Sequence, residues 1–234
     1  MKRKPVDFDL IIFDCDGVLV DSEVISCRAH AETLVRHGYP ITADEVLNRF
    51  LGISDREARQ TVERELGRKL PDDFEQEVKR TMLQSYASEL KAISHAGETI
   101  AAIDLPICVA SSGTPEKICH GLTCAGLYGR FAPHIFSATQ VSRGKPAPDL
   151  FLLAAKEMNT PPARCLVIED SVPGVTGAVA AGMTVFGFFG GSHCREGHAA
   201  MLRAAGAAET FGDMRQLPTL VARKGALIAG FSRT

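Results

Sequence analysis

The rhythm of apolar and polar positions changes twice along the chain, and the changes mark out its parts. Residues 10–13 form a short unbroken apolar run between Asp9 and Asp14, the length and framing of a buried strand. From 22 to about 90 the rhythm is helical, with stretches at 22–37, 42–50, 54–66 and 72–90. Ser22, Thr42 and Ser54 stand where helix caps are expected, and Gly38 and Gly67 where helices end. Beyond residue 98, short apolar runs return at 107–110, 165–168 and 184–188. They alternate with helical stretches at 115–125, 149–158 and 172–181. This alternation predicts an α/β fold, a Rossmann-like core of parallel strands with helices on both faces. The helical block interrupts it after the first strand. The expected organisation is therefore a core of residues 1–21 and 89–234 with a helical cap, 22–88, inserted.

Composition narrows the class. With 234 residues and 45% hydrophobic content, the chain can build one large core or a core with an insertion. A net charge of −2 gives no reason to expect a nucleic-acid partner. The basic cluster Lys2-Arg3-Lys4 reads as a solvated tail. The first apolar run is too short for a signal peptide and is broken by Asp7 and Asp9. Residues 171–193 lack Asp, Glu, Lys and Arg over about the length of a membrane span. Pro173 and six glycines divide them into a helix-like and a strand-like half, so no membrane association is expected. Seven cysteines, an odd number without Cys-x-x-Cys, point to reduced thiols and a cytoplasmic location. Oligomeric state is not legible.

The chemistry concentrates at the ends of the predicted strands, where ligands of such sheets bind. The first strand runs into Asp14-Cys15-Asp16-Gly17. Side chains at i and i+2 leave an extended chain on the same face, so Asp14 and Asp16 converge. Gly17 lets the backbone turn with no Cβ in the way. Two unit charges at ~4 Å repel by about 4 kcal/mol at an effective dielectric of 20, which calls for a hard cation with oxygen ligands. An ordinary Asx turn is the alternative. A calcium loop is excluded, since Gly falls at the fourth position and Ile25 at the twelfth.

Three further strand ends carry polar groups. Ser111-Ser112-Gly113-Thr114-Pro115 offers hydroxyls and a capped helix start, suited to an anion or simply to a turn. Arg143-Gly144-Lys145-Pro146-Ala147-Pro148-Asp149 holds Lys145 on a stiff loop, as a fixed cation or a solvated lysine. Glu169-Asp170-Ser171 follows the 165–168 run. Neighbouring strand residues face opposite ways, so Asp170 is expected to reach a metal at Asp14 directly and Glu169 through water or from the bend. Two clusters stand apart. His193-Cys194-x-x-x-His198 has a spacing loosely like a metal site, with a loop at the rim of the site as the alternative. Arg56, after Gly52-Ile53-Ser54-Asp55, could touch a substrate's anionic group or lie on a solvated face.

Together, Asp14-x-Asp16-Gly-Val-Leu-x-Asp21-Ser-Glu23, Ser111, Lys145-Pro-x-Pro-Asp149 and Glu169-Asp170-Ser171-x-x-Gly174 resemble the four motifs of the haloacid dehalogenase-like superfamily. The resemblance spans nearly the whole chain. The insertion resembles the cap of its β-phosphoglucomutase and phosphoglycolate phosphatase branch, and 15–25 looks like the bacterial sugar-acid phosphatases. It implies Asp14 as nucleophile, forming an aspartyl-phosphate, and Asp16 as general acid and base. It implies Mg²⁺ held by Asp14, Asp170 and the Asp16 carbonyl, with Glu169 behind them. Ser111, backbone N–H groups near Ser112, and Lys145 would bind the phosphate, and Arg56 would contribute to substrate specificity. The implied activity is a Mg²⁺-dependent phosphatase of a small phosphorylated metabolite such as a sugar phosphate. A sugar phosphomutase is the alternative, weakened because Ser26 stands where mutases carry histidine and Asp55 where they carry arginine. A non-catalytic phosphoacceptor module would need neither Asp16 nor the cap.

Overall fold

Strand β1 (Leu10–Phe13) is buried along its whole length, and its neighbours explain why. It lies at the centre of a six-stranded sheet ordered β3-β2-β1-β4-β5-β6. The other strands are β2 (Ile107–Ser111), β3 (Ile135–Ser137), β4 (Cys165–Glu169), β5 (Thr184–Phe188) and β6 (Glu209–Phe211). Every pairing is parallel. The period of two divides each central strand between two cores. Ile11, Phe13, Val109, Leu166 and Ile168 face one cluster. Leu10, Ile12, Cys108, Ala110, Cys165 and Val167 face the other. The structure, a computed structural model, describes residues 8–50 and 55–226. Lys2-Arg3-Lys4 and the cap-loop residues Gly52, Ile53 and Ser54 lie outside the described residues, as does the side chain of Asp55.

Between β1 and β2 come helices α1 (Glu23–Arg36), α2 (Ala43–Phe50), α3 (Asp55–Leu66), α4 (Phe74–Glu89) and α5 (Ala96–Ala101). The remaining helices are α6 (Pro115–Cys124), α7 (Tyr128–Phe131), α8 (Asp149–Glu157), α9 (Val172–Ala180), α10 (His198–Ala204) and α11 (Leu217–Ala226). Thr42 opens α2 with a reciprocal cap: its Oγ1 accepts from Glu45 N, and its own N–H donates to the Glu45 carboxylate at 2.8 Å. Ser22 does not cap α1 with its side chain, because that hydroxyl donates to Asp16 instead. The uncharged window resolves into α9 and β5, and no helix among the described residues is long and apolar enough to cross a membrane. All seven cysteines are free thiols.

Helices α1 to α4 build an apolar cluster of their own around Leu34, Val46, Leu47, Val62, Phe74 and Val78. One face of α1 and the second half of α4 belong elsewhere. Ile25, Ala29, Met82, Tyr86 and Leu90 pack into the same cluster as the sheet. The two connecting segments run side by side, with Val20 bridged to Ala92 and Asp21 N–H donating to Lys91 O at 3.0 Å.

Candidate active site

Strand register delivers the site. Phe13 pairs with Ile168 and with Val109, so Asp14, Ser111 and Glu169 emerge together at the carboxyl edge of the sheet. The strand order reverses direction between β1 and β4, the crevice in which open α/β sheets bind ligands. Gly17 turns the chain back with φ +77, and a Cβ there would stand 1.9 Å from Asp170 Oδ2. Only glycine leaves space for that carboxylate.

The buried carboxylates are met by separate cations. Lys145 Nζ lies 2.5 Å from Asp14 Oδ1 and 2.6 Å from Glu169 Oε1, over the face of Phe151. Both Glu169 oxygens are occupied, since Oε2 accepts from Ser171 N at 2.7 Å and Ser171 Oγ at 2.9 Å. The side chain folds back over Gly174, where a Cβ would overlap it at 1.8 Å. Asp16 accepts from Lys117 Nζ at 3.0 Å and from Ser22 Oγ at 2.5 Å. His193 Nε2 lies 3.0 Å from Asp170 Oδ2, both side chains being buried.

Charge compensation is uneven. Burial raises the Asp14 carboxyl well above the usual range; Lys145 opposes this, while Glu169, Asp170 and Asp16 add to it. Burial likewise acts on Asp16, but Lys117 and Ser22 prevail and hold it below its ordinary value. Burial and the charge of Asp16 push Glu23, at the start of α1, up to about 7. Burial disfavours a charged His193, yet its bond to Asp170 raises it to about 10.

The donor set suits a hard divalent cation. One oxygen of Asp14 and one of Asp170 are spoken for by Lys145 and His193. No hydrogen bond from the described residues reaches Asp14 Oδ2 or Asp170 Oδ1. Ligand atoms of Asp14, Glu169 and Asp170 lie within 4.8 Å of one another. Oxygen-only donors and residual negative charge match Mg²⁺ better than a soft metal.

Matching against known families places residues 11–188 in the haloacid dehalogenase-like hydrolase family. The chain belongs to the haloacid dehalogenase-like hydrolases. It is 35% identical over 218 residues to the 6-phosphogluconate phosphatase of Escherichia coli, covering 93% of this chain and 96% of that protein. Among solved structures, a haloacid dehalogenase-like protein of unknown function from Agrobacterium tumefaciens matches with a TM-score of 0.83 and 39% identity. That match covers 92% of this chain and 98% of the other. A family hydrolase from Deinococcus radiodurans, solved with bound phosphate and sodium, matches with a TM-score of 0.79 and 31% identity, covering 94% and 97%.

The structure gathers Asp14, Asp16, Ser111, Lys145, Glu169 and Asp170 at this edge. Ser111 is buried, its Oγ accepting from Gly113 N at 3.1 Å, while Ser112 is exposed in the same turn. Thr114 caps α6 as its position implies. Arg56 is not brought to the group: it stands exposed near the start of α3, and no hydrogen bond joins it to these residues. Sequence reasoning missed Lys117, Ser22, Glu23 and the bond from His193 to Asp170. Lys117 carried a signal, because a cation in the first turn of a helix opposes the helix dipole and needs another reason to be there.

Proposed function

We propose that this haloacid dehalogenase-like hydrolase is a Mg²⁺-dependent phosphatase of a small phosphorylated metabolite, a sugar phosphate, acting through an aspartyl-phosphate. The observation that carries the reading is Asp14 at the strand-order reversal with Lys145 2.5 Å away, beside a second aspartate that has its own cation. The 35% identity to a 6-phosphogluconate phosphatase supports the substrate class.

In this reading Asp14 attacks phosphorus, the ester P–O bond breaks, and Asp16 gives its proton to the departing alkoxide. Water then attacks the acyl phosphate while Asp16 takes a proton from it, which releases phosphate and restores Asp14. Ser111, the N–H groups around Ser112, and Lys145 hold the non-bridging oxygens, where fixed positive groups contribute most. Asp14, Asp170 and the Asp16 carbonyl would hold Mg²⁺, which when bound screens the carboxylates from the phosphate's charge. Residues 22–88 act as a cap that covers the strand ends and excludes water.

The test is turnover of a sugar-phosphate panel with Mg²⁺ and with excess chelator, together with mass spectrometry of acid-quenched protein. Phosphate release that needs the metal, with phosphate trapped on Asp14, is expected. Asp16→Asn should slow turnover by about 10²–10⁴-fold. Isomerised sugar phosphate without free phosphate would instead establish a mutase. Phosphorylation of any residue other than Asp14 would overturn the assignment.

A further inference from the structure

The segment after β5 reads Gly190-Gly191-Ser192-His193-Cys194-Arg195-Glu196-Gly197-His198, and the proposed chemistry leaves it unused. Its fold is nonetheless tightly specified. Ser192 donates to Asp21 Oδ1 from its N–H at 3.1 Å and from its hydroxyl at 2.8 Å. The His193 ring is slotted between two glycines. A Cβ on Gly17 would stand 2.8 Å from His193 Cε1, and one on Gly191 would stand 2.8 Å from both Cε1 and Nδ1. Nε2 lies 3.0 Å from Asp170 Oδ2 and 3.5 Å from Cys194 Sγ, while Nδ1 is buried with no partner. His198 reaches the same residue from the other side, its Nε2 donating to Asp170 O at 2.6 Å. The two rings meet edge to face, with centroids 5.7 Å apart.

We infer that His193 is a positioning residue for the metal: its Nε2, 3.0 Å from one oxygen of Asp170, holds that oxygen and turns the other toward the cation, while His198 braces the backbone. The inference rests on the metal reading above. It accounts for three features at once: glycine at 17 and at 191, a ring whose only described hydrogen-bonding atom is Nε2, and an Asp170 oxygen left without a donor. A loop serving only as a rim would not require two glycines to admit one ring. Hydrogen-bonded partners behind a metal ligand typically contribute 10–100-fold in metal affinity.

The experiment is calorimetric titration of MgCl₂ into the full chain and into three variants, with thermal melts to establish folding. His193→Ala should weaken Mg²⁺ binding by about 10–100-fold. The geometry also separates two conservative replacements. Gln places an amide N–H near the position of imidazole Nε2, whereas Asn reaches only the Nδ1 position. His193→Gln should therefore recover most of the affinity and His193→Asn should not, at similar melting temperatures. If His193→Ala fails to fold, the Gln and Asn variants carry the comparison. Equal affinity for Mg²⁺ in Gln and Asn variants would overturn the inference and leave the metal reading intact. A wild-type chain that binds no Mg²⁺ would overturn the metal reading and this inference with it.

Discussion

Lys117 Nζ lies 3.0 Å from Asp16 Oδ2, joining residues 101 positions apart and giving the second aspartate a cation that Asp14 does not share. Lys145 serves Asp14 and Glu169; Lys117 serves Asp16. The two aspartates, two residues apart, are thereby driven in opposite directions, Asp14 upward and Asp16 downward. The proposed roles need the reverse at the moment of attack, Asp14 ionised and Asp16 protonated; a divalent cation beside Asp14 would restore the first, and the charge of an entering phosphate the second.

Removing that cation should show itself in the pH profile. The ammonium of Lys117 favours the ionised carboxylate, so Lys117→Met should let Asp16 rise. Asp16 gives a proton to the alkoxide in the first step and takes one from water in the second, so the limb of the kcat profile that reports Asp16 should move to higher pH. A kcat profile from about pH 4 to 9 measures this. An unmoved limb would show that Lys117 does not govern Asp16.

Glu23 gives the opposite sign. Burial and Asp16 raise it to about 7, so it is neutral below that pH and charged above it. A phosphate dianion entering beside a newly charged Glu23 meets added repulsion. Wild-type kcat/KM should fall as pH rises through about 7, and Glu23→Gln should flatten that fall. The same decline in both proteins would assign it to another group.

Gly17→Ala should be far more damaging than its size implies. The backbone sits at φ +77, and the new Cβ would stand 1.9 Å from Asp170 Oδ2. Displacing catalytic groups by about 1 Å typically costs about 10²-fold in rate. We expect a loss of at least that order in kcat/KM, checked by steady-state kinetics on protein whose fold is verified by circular dichroism.

Acid should loosen the helical insertion through Glu63. Lys69 donates to its carboxylate at 2.7 Å, Arg59 at 2.9 Å and Leu70 N at 3.1 Å. These bonds, that from Lys69 foremost, hold Glu63 at about 2, below its ordinary 4.5. A carboxyl depressed in the folded state stabilises above its unfolded value and loses that stabilisation as pH falls toward the folded one. Melting temperature should therefore drop between pH 4.5 and about 2, and Glu63→Gln should reduce the slope. Thermal melts across that window decide it.

What the sequence made legible follows from burial. Strands β1, β2, β4 and β5 are apolar on both faces, so their runs stand out. The edge strands β3 and β6 have three residues each, and β6 carries exposed Glu209, too little pattern to distinguish from a loop. The motif residues were legible because strand ends in a parallel sheet share one edge. The partners that tune them were not, because each arrives from elsewhere in the chain. Ser22 is a good cap residue by type, yet its hydroxyl goes to Asp16. His193 reads as a metal-site fragment until the register places Asp170 beside it.

The insertion leaves and rejoins the core through segments that touch, Val20 against Ala92. To the sheet, sixty-odd residues therefore amount to a single loop closed at its base, and strand register is indifferent to what that loop contains. The distal part, around Leu34, Val62 and Phe74, is free to be traded for a block of different size or shape. The proximal part is not, because Ile25, Ala29, Met82, Tyr86 and Leu90 are also walls of the core. Evolution of selectivity in such a chain would run outward from that collar, rewriting the far helices while the base stays fixed.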